Sequence, residues 1–289
     1  MVRRKVFRRR IRRGNRSAAG NVCIFIFLFL LGAFMLLPLV YSCLNAFKPL
    51  EEVYIYPPRF FVRNPTLENF SVFFKLASGL HVPFIRYLFN SLFVTILTTV
   101  VHIVLSSMAA YPLAKYRLRL SGLFSLVVVS MLFTSAVLWL PNYILMAKMH
   151  FLNTYLPYIV PNLAAPIGLF LMKQFMEQIP FALVESATID GAGHWTIFWR
   201  IVMPQVKPAW MTLAVFSFLS VWNQASSGFV YDERLKLLGD LIANINAGGF
   251  SRLNISMAGT LFMIVPPILL FLFTQNRVLE TMAYAGIKE

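Results

Sequence analysis

A run of uncharged, mostly apolar residues from Val22 to Phe47 places the strongest constraint on what this chain can fold into. A helix that crosses a bilayer needs about 20 such residues, and this run exceeds that length. Five more apolar runs follow, at residues 87–114, 123–147, 152–172, 209–231 and 253–274. Proline interrupts the fourth run, but neighbouring helices can satisfy the carbonyls that proline leaves free. The pattern predicts an all-α membrane protein with six transmembrane helices.

The composition agrees with this class of protein. Of the 289 residues, 58% are hydrophobic and 13% are charged, whereas an ordinary soluble domain has about 45–50% and about 25%. Disordered proteins, disulfide scaffolds and most soluble enzymes are therefore excluded. No hydrophilic stretch is long enough to bury a second core. We divide the chain into a basic tail at residues 1–21 and one transmembrane domain at residues 22–289.

The basic residues predict the orientation. The chain has 26 Lys and Arg against 11 Asp and Glu, and the segment before Val22 contains many Arg and no acid. Such a tail beside an apolar span is typical of a cytoplasmic segment in contact with anionic lipid. RNA binding has no support, because no aromatic residues for base stacking accompany the tail. The first run is too long for the apolar core of a cleaved signal peptide. We predict a retained anchor and both termini in the cytoplasm.

The predicted spans lack an energy source and a catalytic centre. They contain no Asp, Glu, Lys or Arg in their interiors, and His102 is their one histidine. Ionisable residues inside a membrane are the usual parts of proton-coupled carriers. No Gly-Lys pair suggests a phosphate-binding loop, and the four scattered histidines form no metal-binding pair. We expect a non-catalytic subunit that binds no cofactor and is driven by a partner on the cytoplasmic side.

The longest predicted cytoplasmic loop, residues 173–208, has helical features of its own. Pro180 suits the first position of a helix, and the residues to Asp190 continue in helical register. Gly191 to Gly193 provide a stop, because glycine readily adopts the left-handed conformation at the end of a helix. A second helix is predicted from His194 to Val202, ending before Pro204.

The same loop resembles the EAA motif of ATP-binding cassette (ABC) importer permeases. Glu185-Ser186-Ala187 is followed by three residues, Gly191, nine residues and Ile201-Val202-Met203-Pro204, while the family has Ala and Leu where this chain has Ser186 and Met203. The resemblance implies a cytoplasmic coupling helix, between spans four and five, that binds a dimeric ATPase. The implied coupling residues are Glu185, Ser186, Ala187, Asp190, Gly191, Ala192, Ile201 and Pro204.

Shorter stretches resemble the sugar-importing, MalG-like branch of that family. They include the residues from Ala110 to Lys115, Leu140 to Tyr143, Trp222-Asn223 and Ala285 to Lys288. The resemblance covers residues 22–289 and implies import of a carbohydrate, in particular an oligosaccharide. It also implies a multi-pass protein of the bacterial cytoplasmic membrane, a homologous second permease subunit, an extracytoplasmic solute-binding protein, and ATP and Mg used by the ATPase.

Sugar sites require aromatic rings and amide or hydroxyl groups. The residues predicted to line the substrate path are Asn90, Asn142, Trp222, Asn223 and Gln224. Buried amides in spans also join helices to one another, so both roles stay open for these residues. Two other functions also stay open: a permease of the same family for a non-sugar solute, and a secondary carrier or channel.

Overall fold

The computed structural model describes residues 18–57, 59–79, 82–116, 121–131, 139–225 and 228–286, and within these ranges its secondary structure is helical. The helices are α1 (Ala18–Ala46), α2 (Leu50–Val53), α3 (Glu68–Gly79), α4 (Phe84–Lys115), α5 (Ser121–Met131), α6 (Trp139–Lys148), α7 (Leu156–Leu163), α8 (Pro166–Glu177), α9 (Phe181–Ile189), α10 (His194–Thr196), α11 (Met203–Gln205), α12 (Lys207–Trp222), α13 (Leu238–Asn246) and α14 (Leu253–Gly286). A π-helical turn, Ile197–Val202, joins α10 to α11.

Four helical stretches in the described residues are long and apolar enough to cross a membrane: Gly20–Ala46, Phe84–Lys115, Leu156–Glu177 and Phe250–Gln275. They correspond to the first, second, fourth and sixth predicted spans. The fourth consists of α7 and α8, which are separated at Ala164 and Ala165 because Pro166 starts a new helix. The centre of the third predicted span, residues 132–138, lies outside the described residues.

The fifth predicted span, residues 209–231, is wrong in its extent. Helix α12 ends at Trp222 after 16 residues, which is about 24 Å of helix against a hydrocarbon thickness of about 30 Å. Asn223 leaves the helical conformation, and Gly228 has a φ of 92°. The sixth span also differs, because α14 continues beyond Thr274 to Gly286.

Helix α4 is the central element, since α3, α7, α8, α12 and α13 all pack against it. Two clusters of buried side chains lie at its two ends. The hairpin cluster, near the C-terminal end of α4, is formed by Ala110, Tyr111, Met172, Met176, Ile179, Val184, Ala187, Ile197, Phe198, Val202, Met203, Val206, Ala209 and Leu213. The far cluster, near the N-terminal end, is formed by Phe73, Ala77, Val82, Tyr87, Phe218, Trp222, Leu238, Leu241, Ile242 and Ile245.

The close contact between α4 and α8 depends on Gly168. A Cβ atom at this position would lie 2.4 Å from the Nε2 atom of His102 and from the Oγ atom of Ser106. His102 is buried, and its two ring nitrogens lie 2.6 Å from the Ser217 hydroxyl and 3.1 Å from the Ala165 carbonyl. The imidazole therefore joins α4, α12 and the start of α8, which agrees with a packing role.

Helix α14 contains Pro266 and Pro267 in its interior. Proline has no N–H, so Pro267 cannot donate to the carbonyl of Met263 one turn earlier. The indole N–H of Trp222 donates to this carbonyl at 2.8 Å. A side chain of α12 thus replaces the backbone donor that α14 lacks, which explains how proline is tolerated at this point of an apolar helix.

Helix α1 is peripheral. It packs against α14, and its side chains from Asn21 to Val40 are exposed. Two side-chain amides hold its C-terminal end. Asn69 donates to the carbonyls of Ala46 and Lys48 at 2.9 and 2.8 Å. Asn254 donates to the carbonyl of Lys48 at 2.7 Å. These bonds fix the point where the chain leaves α1.

Candidate functional site

The segment between α8 and α12 forms a helical hairpin, defined here as Phe181–Gln205, from the start of α9 to the end of α11. Pro180 precedes α9 with φ −57° and ψ 132°, so the helix begins one residue later than the sequence predicts. Pro180 suits this place because its fixed φ is compatible with the N-cap and its missing N–H is not needed there. The structure has two helical stretches here, joined by a turn at Gly191.

The turn of the hairpin is a Schellman motif. The N–H of Ala192 donates to the carbonyl of Ala187 at 2.9 Å, and the N–H of Gly191 donates to that of Thr188 at 3.0 Å. These are the two bonds that define the motif. The residue directly after the C-cap, here Gly191, needs a positive φ. Gly191 supplies it with a φ of 81°. Ala187, Gly191 and Ala192 therefore have the spacing that a Schellman motif at the end of α9 requires.

The second part of the hairpin does not end before Pro204, and this prediction is wrong. A π-helical turn covers Ile197–Val202, where the N–H of Met203 donates to Phe198 five residues earlier, and the chain stays helical to Gln205. Inside a regular α-helix, the ring of Pro204 would clash with the carbonyl of Arg200. The wider π turn relieves this crowding and allows the chain to pass through Pro204 without breaking.

One side of the hairpin is buried against the helices. Val184, Ala187, Ile197, Phe198 and Val202 are each less than 9% exposed and belong to the hairpin cluster. They pack with side chains of α8 and with the C-terminal end of α4. The hairpin therefore packs as one unit with α4, α8 and the start of α12.

The other side of the hairpin is an exposed apolar surface with acidic groups. We call this the hairpin face, and its apolar side chains are Phe181 (46% exposed), Leu183 (41%), Ile189 (86%), Trp195 (62%) and Trp199 (45%). Glu185, Ser186 and Asp190 are exposed beside them, as is Pro204, while Ile201 and Ala192 are half-buried. An exposed apolar patch of this kind is typical of a surface that binds a partner.

Lys115, the last residue of α4, contacts the segment just before the hairpin, and the next residue, Tyr116, contacts the hairpin itself. Lys115 donates from Nζ to the carbonyl of Ile179 at 2.5 Å, and the hydroxyl of Tyr116 lies 3.0 Å from Nδ1 of His194. Sequence reasoning noticed the stretch ending in Lys115 but gave it no role. Lys115 is 9% exposed, and a lysine at the end of an apolar run gives no sequence signal that it will be buried.

Asn90 and Trp222, two of the residues predicted on the substrate path, lie in helix contacts. Asn90 is fully buried, and its amide donates to the carbonyls of Arg234 and Lys236 at 2.9 and 3.0 Å. It also accepts from the Tyr155 hydroxyl at 2.8 Å. Trp222 is 2% exposed and bonded to Met263 as described above.

The other three predicted path residues are more accessible. Asn142 lies in α6 and is half-buried, Asn223 is exposed at the end of α12, and Gln224 is half-buried. The structure brings Gln224 together with Asn162, whose amide donates to it at 2.8 Å, and Ser220 donates to Asn162 at 3.3 Å. Sequence reasoning missed Asn162 and Ser220. The sequence feature that could have identified them is a polar side chain inside an apolar run. This feature is equally typical of a residue that joins two helices.

We expect Asn90→Leu to destabilise the chain. The substitution keeps the approximate size but removes the three hydrogen bonds of a fully buried amide, to Arg234, Lys236 and Tyr155, and the loss of a hydrogen bond costs about 0.5–1.5 kcal/mol. Thermal unfolding of the purified protein in detergent would measure this loss of stability as a lower melting temperature. Asn223→Leu is the matched control, because the Asn223 amide is exposed and bonds within its own helix, to Leu219. Equal melting temperatures for both variants would contradict the assignment of Asn90 to packing.

Comparisons with known proteins agree on the class of molecule. Residues 102–282 match the family described as "Binding-protein-dependent transport system inner membrane component". Protein LplC of Bacillus subtilis strain 168 is 32% identical over 217 residues, which cover 73% of this chain and 70% of that protein. The arabinooligosaccharides transport system permease protein AraQ of the same organism is 27% identical over 282 residues, which cover 96% and 99%.

A solved structure shares the fold. It is a chain of a bacterial ABC transporter described as involved in the import of the acidic polysaccharide alginate, with a TM-score of 0.70 over 90% of this chain and 98% of that chain. The sequence identity is 20%, so this likeness concerns the fold alone.

Proposed function

This chain belongs to the family of binding-protein-dependent transport system inner membrane components, and we propose that it is the permease subunit of an ATP-driven importer for a carbohydrate. The near full-length similarity to AraQ carries the choice of substrate class, since that relative is named for oligosaccharide transport. Amide and hydroxyl groups on the accessible part of α12 and α7 are groups that sugars bind. We propose an oligosaccharide as the substrate.

We propose that the hairpin face binds the ATPase. Two features support this: the face combines exposed aromatic and aliphatic side chains with Glu185 and Asp190, and its opposite side is packed into the helices. A partner that grips this face can therefore move the transmembrane part as one body. Glu185 is exposed and offers a carboxylate to a basic group of the ATPase.

The complete assembly would contain this chain, a homologous permease subunit, a dimeric ATPase and an extracytoplasmic binding protein. ATP and Mg²⁺ bind the ATPase, and this chain performs no chemical step. Closure of the ATPase dimer would pull the two hairpins together and turn the path from one side of the membrane to the other. The carbohydrate would then pass between the two permease subunits.

We propose six crossings with both termini in the cytoplasm. Helices α5 and α6 would lie at the two ends of the third crossing, and α12 would supply the helical part of the fifth. In a variant with Cys23 and Cys43 replaced by Ser, we expect Thr188→Cys to react with a membrane-impermeant maleimide only after permeabilisation of the cells. The chain has two cysteines, both in α1, so their replacement leaves the introduced cysteine as the one thiol that can be labelled.

The matched control for this labelling is Tyr231→Cys. Tyr231 is 71% exposed in the loop that follows α12, on the side predicted to face outward, so it should react in intact cells. Reaction of position 188 in intact cells would overturn the proposed orientation.

A charge reversal at Glu185 tests the docking face. We expect Glu185→Lys to insert normally but to lose most of the co-purifying ATPase, because like charges that meet at an interface cost several kcal/mol. Glu51→Lys is the control, since it makes the same change at an exposed residue on the opposite side. Full ATPase retention by Glu185→Lys would contradict the proposed contact.

The substrate class is tested on the purified assembly in liposomes. The binding protein is loaded with a labelled oligosaccharide, and ATP-dependent uptake is measured for neutral sugars, acidic sugars and a non-sugar solute such as a glycerol phosphate. Uptake of an oligosaccharide supports the proposal. Uptake of the non-sugar solute alone would reject the substrate class while retaining the importer.

A further inference from the structure

Lys115 and Tyr116 are adjacent in sequence, and they contact two different segments. Lys115 bonds to Ile179, which lies two residues before α9 in the segment that leads into the hairpin, and Tyr116 bonds to His194, the first residue of α10. The end of α4 is therefore attached at two points, one to the hairpin and one to the segment that leads into it. We call these two contacts the clamp.

The Lys115 contact is the firmer of the two. Its side chain is 9% exposed and stands next to the hairpin cluster, in which Ala110, Tyr111 and Ile179 are buried. A buried ammonium group needs hydrogen-bond partners, because its desolvation is costly. The bond to the Ile179 carbonyl supplies one at 2.5 Å. Charge-assisted hydrogen bonds are about twice as strong as neutral ones, so this contact resists separation of α4 from the start of α9.

The Tyr116 contact is supported by a row of rings. The ring centroids of Tyr116 and His194 are 6.0 Å apart, those of Tyr116 and Tyr111 are also 6.0 Å apart, and Tyr111 lies 5.5 Å from Phe198. Edge-on and tilted arrangements of this kind are favourable for aromatic pairs. The row runs from the end of α4 into the second part of the hairpin, while Lys115 holds the segment that leads into its first part.

We propose that Lys115 and Tyr116 are positioning residues that transmit movement of the hairpin to α4. This inference rests on the proposed function, in which the ATPase moves the hairpin. Along the chain, the hairpin is directly connected only to α8 and α12. The clamp adds a hydrogen-bonded connection to α4. The other end of α4 is fixed to the loop before α13, because Asn90 bonds to Arg234 and Lys236, and the Ser91 hydroxyl accepts from the Leu238 N–H at 2.7 Å. A pull on the hairpin would therefore reach the opposite face of the molecule along one helix.

The test uses the complete assembly in liposomes, with Lys115→Met, Lys115→Arg and Tyr116→Phe. Met keeps the length and apolar stem of the side chain but cannot donate to Ile179, whereas Arg can. Three quantities are measured for each variant: co-purifying ATPase, ATP hydrolysis stimulated by the loaded binding protein, and solute uptake per ATP hydrolysed. Neither Lys115 nor Tyr116 belongs to the hairpin face, so docking of the ATPase should change less than about twofold.

We expect Lys115→Met to lower uptake per ATP by about tenfold or more, which corresponds to about 1.4 kcal/mol of lost coupling. Lys115→Arg should restore most of the ratio, and Tyr116→Phe should lower it by about threefold. A merely structural role would lower ATPase retention and hydrolysis in parallel and leave the ratio unchanged. That outcome, or a normal ratio in Lys115→Met, would overturn the proposal.

The remaining outcomes are also informative. If Lys115→Met does not assemble, Tyr116→Phe decides the question, because it removes one exposed hydroxyl from the same clamp. A normal ratio in Tyr116→Phe would then count against the proposal. Failure of the unmodified assembly to import any carbohydrate concerns the proposed substrate, and the ratio can still be measured with the solute that it does transport.

Discussion

Gly191→Val is expected to abolish most substrate uptake and to weaken ATPase retention while the chain still inserts into the membrane. The φ of Gly191 is 81°, a conformation that costs an L-residue about 1–2 kcal/mol and a β-branched residue more. No atom lies within 4 Å of a Cβ at this position, so the cost arises from the backbone alone. Loss of the turn releases the two Schellman bonds and reorients the hairpin face. Co-purification would measure the loss of ATPase retention, and transport in liposomes would measure the loss of uptake.

Gly193→Val is the matched control for this prediction. It places the same side chain two residues later, where φ is −71° and ψ is 158° and a Cβ also has no neighbour within 4 Å. These extended angles suit valine, so uptake should stay close to that of the parent. Gly191→Asn should give an intermediate result, because asparagine tolerates the left-handed region. Equal uptake by the two valine variants would show that the turn geometry is not required for coupling.

Trp222→Ala is expected to produce the largest loss of stability. Removal of a buried tryptophan costs about 3–5 kcal/mol through lost contacts and the cavity that remains. Trp222 also stacks against Phe218, with ring centroids 5.6 Å apart, and donates to Met263. We expect a lower melting temperature in detergent and a smaller folded fraction in membranes. Any fall in uptake should then follow the amount of folded protein.

Trp222→Phe separates the two contributions of this residue. Phenylalanine keeps most of the apolar contact but cannot donate to the Met263 carbonyl, which costs about 1–3 kcal/mol when the carbonyl stays buried. Its melting temperature should fall between those of the parent and Trp222→Ala. A Trp222→Ala protein of normal stability with altered uptake would instead support a place for the ring on the substrate path.

The hairpin could be predicted from sequence because its signals are local. Pro180, the glycine at position 191 and the apolar spacing all act within a few residues, and they give the two short helices and their turn. The π turn before Pro204 could not be predicted, since it depends on how Ile197 and Val202 pack into the hairpin cluster. Proline normally marks the end of a helix, and only the tertiary contacts allow this helix to continue.

The roles of the polar residues were harder to predict than the helices. Asn90 and Asn223 are both amides in apolar runs. Asn90 is fully buried and bonds to carbonyls of a distant loop, whereas Asn223 is exposed at the end of α12. The sequence contains the residue type but not the partner, which lies more than 140 positions away for Asn90. The burial of Lys115 was missed for the same reason, because Ile179 reaches it only through the fold.

The bond between Trp222 and Met263 makes two distant positions dependent on each other. The indole is needed there because Pro267 withholds an N–H from the helix, and Pro267 is tolerated because the indole is present. A homologue with a residue other than proline at position 267 can complete its own helix, and then no longer needs the indole N–H, although it still needs a large apolar side chain at position 222. Across an alignment of homologues, the two positions should therefore co-vary, with tryptophan beside proline and phenylalanine tolerated where the proline is absent.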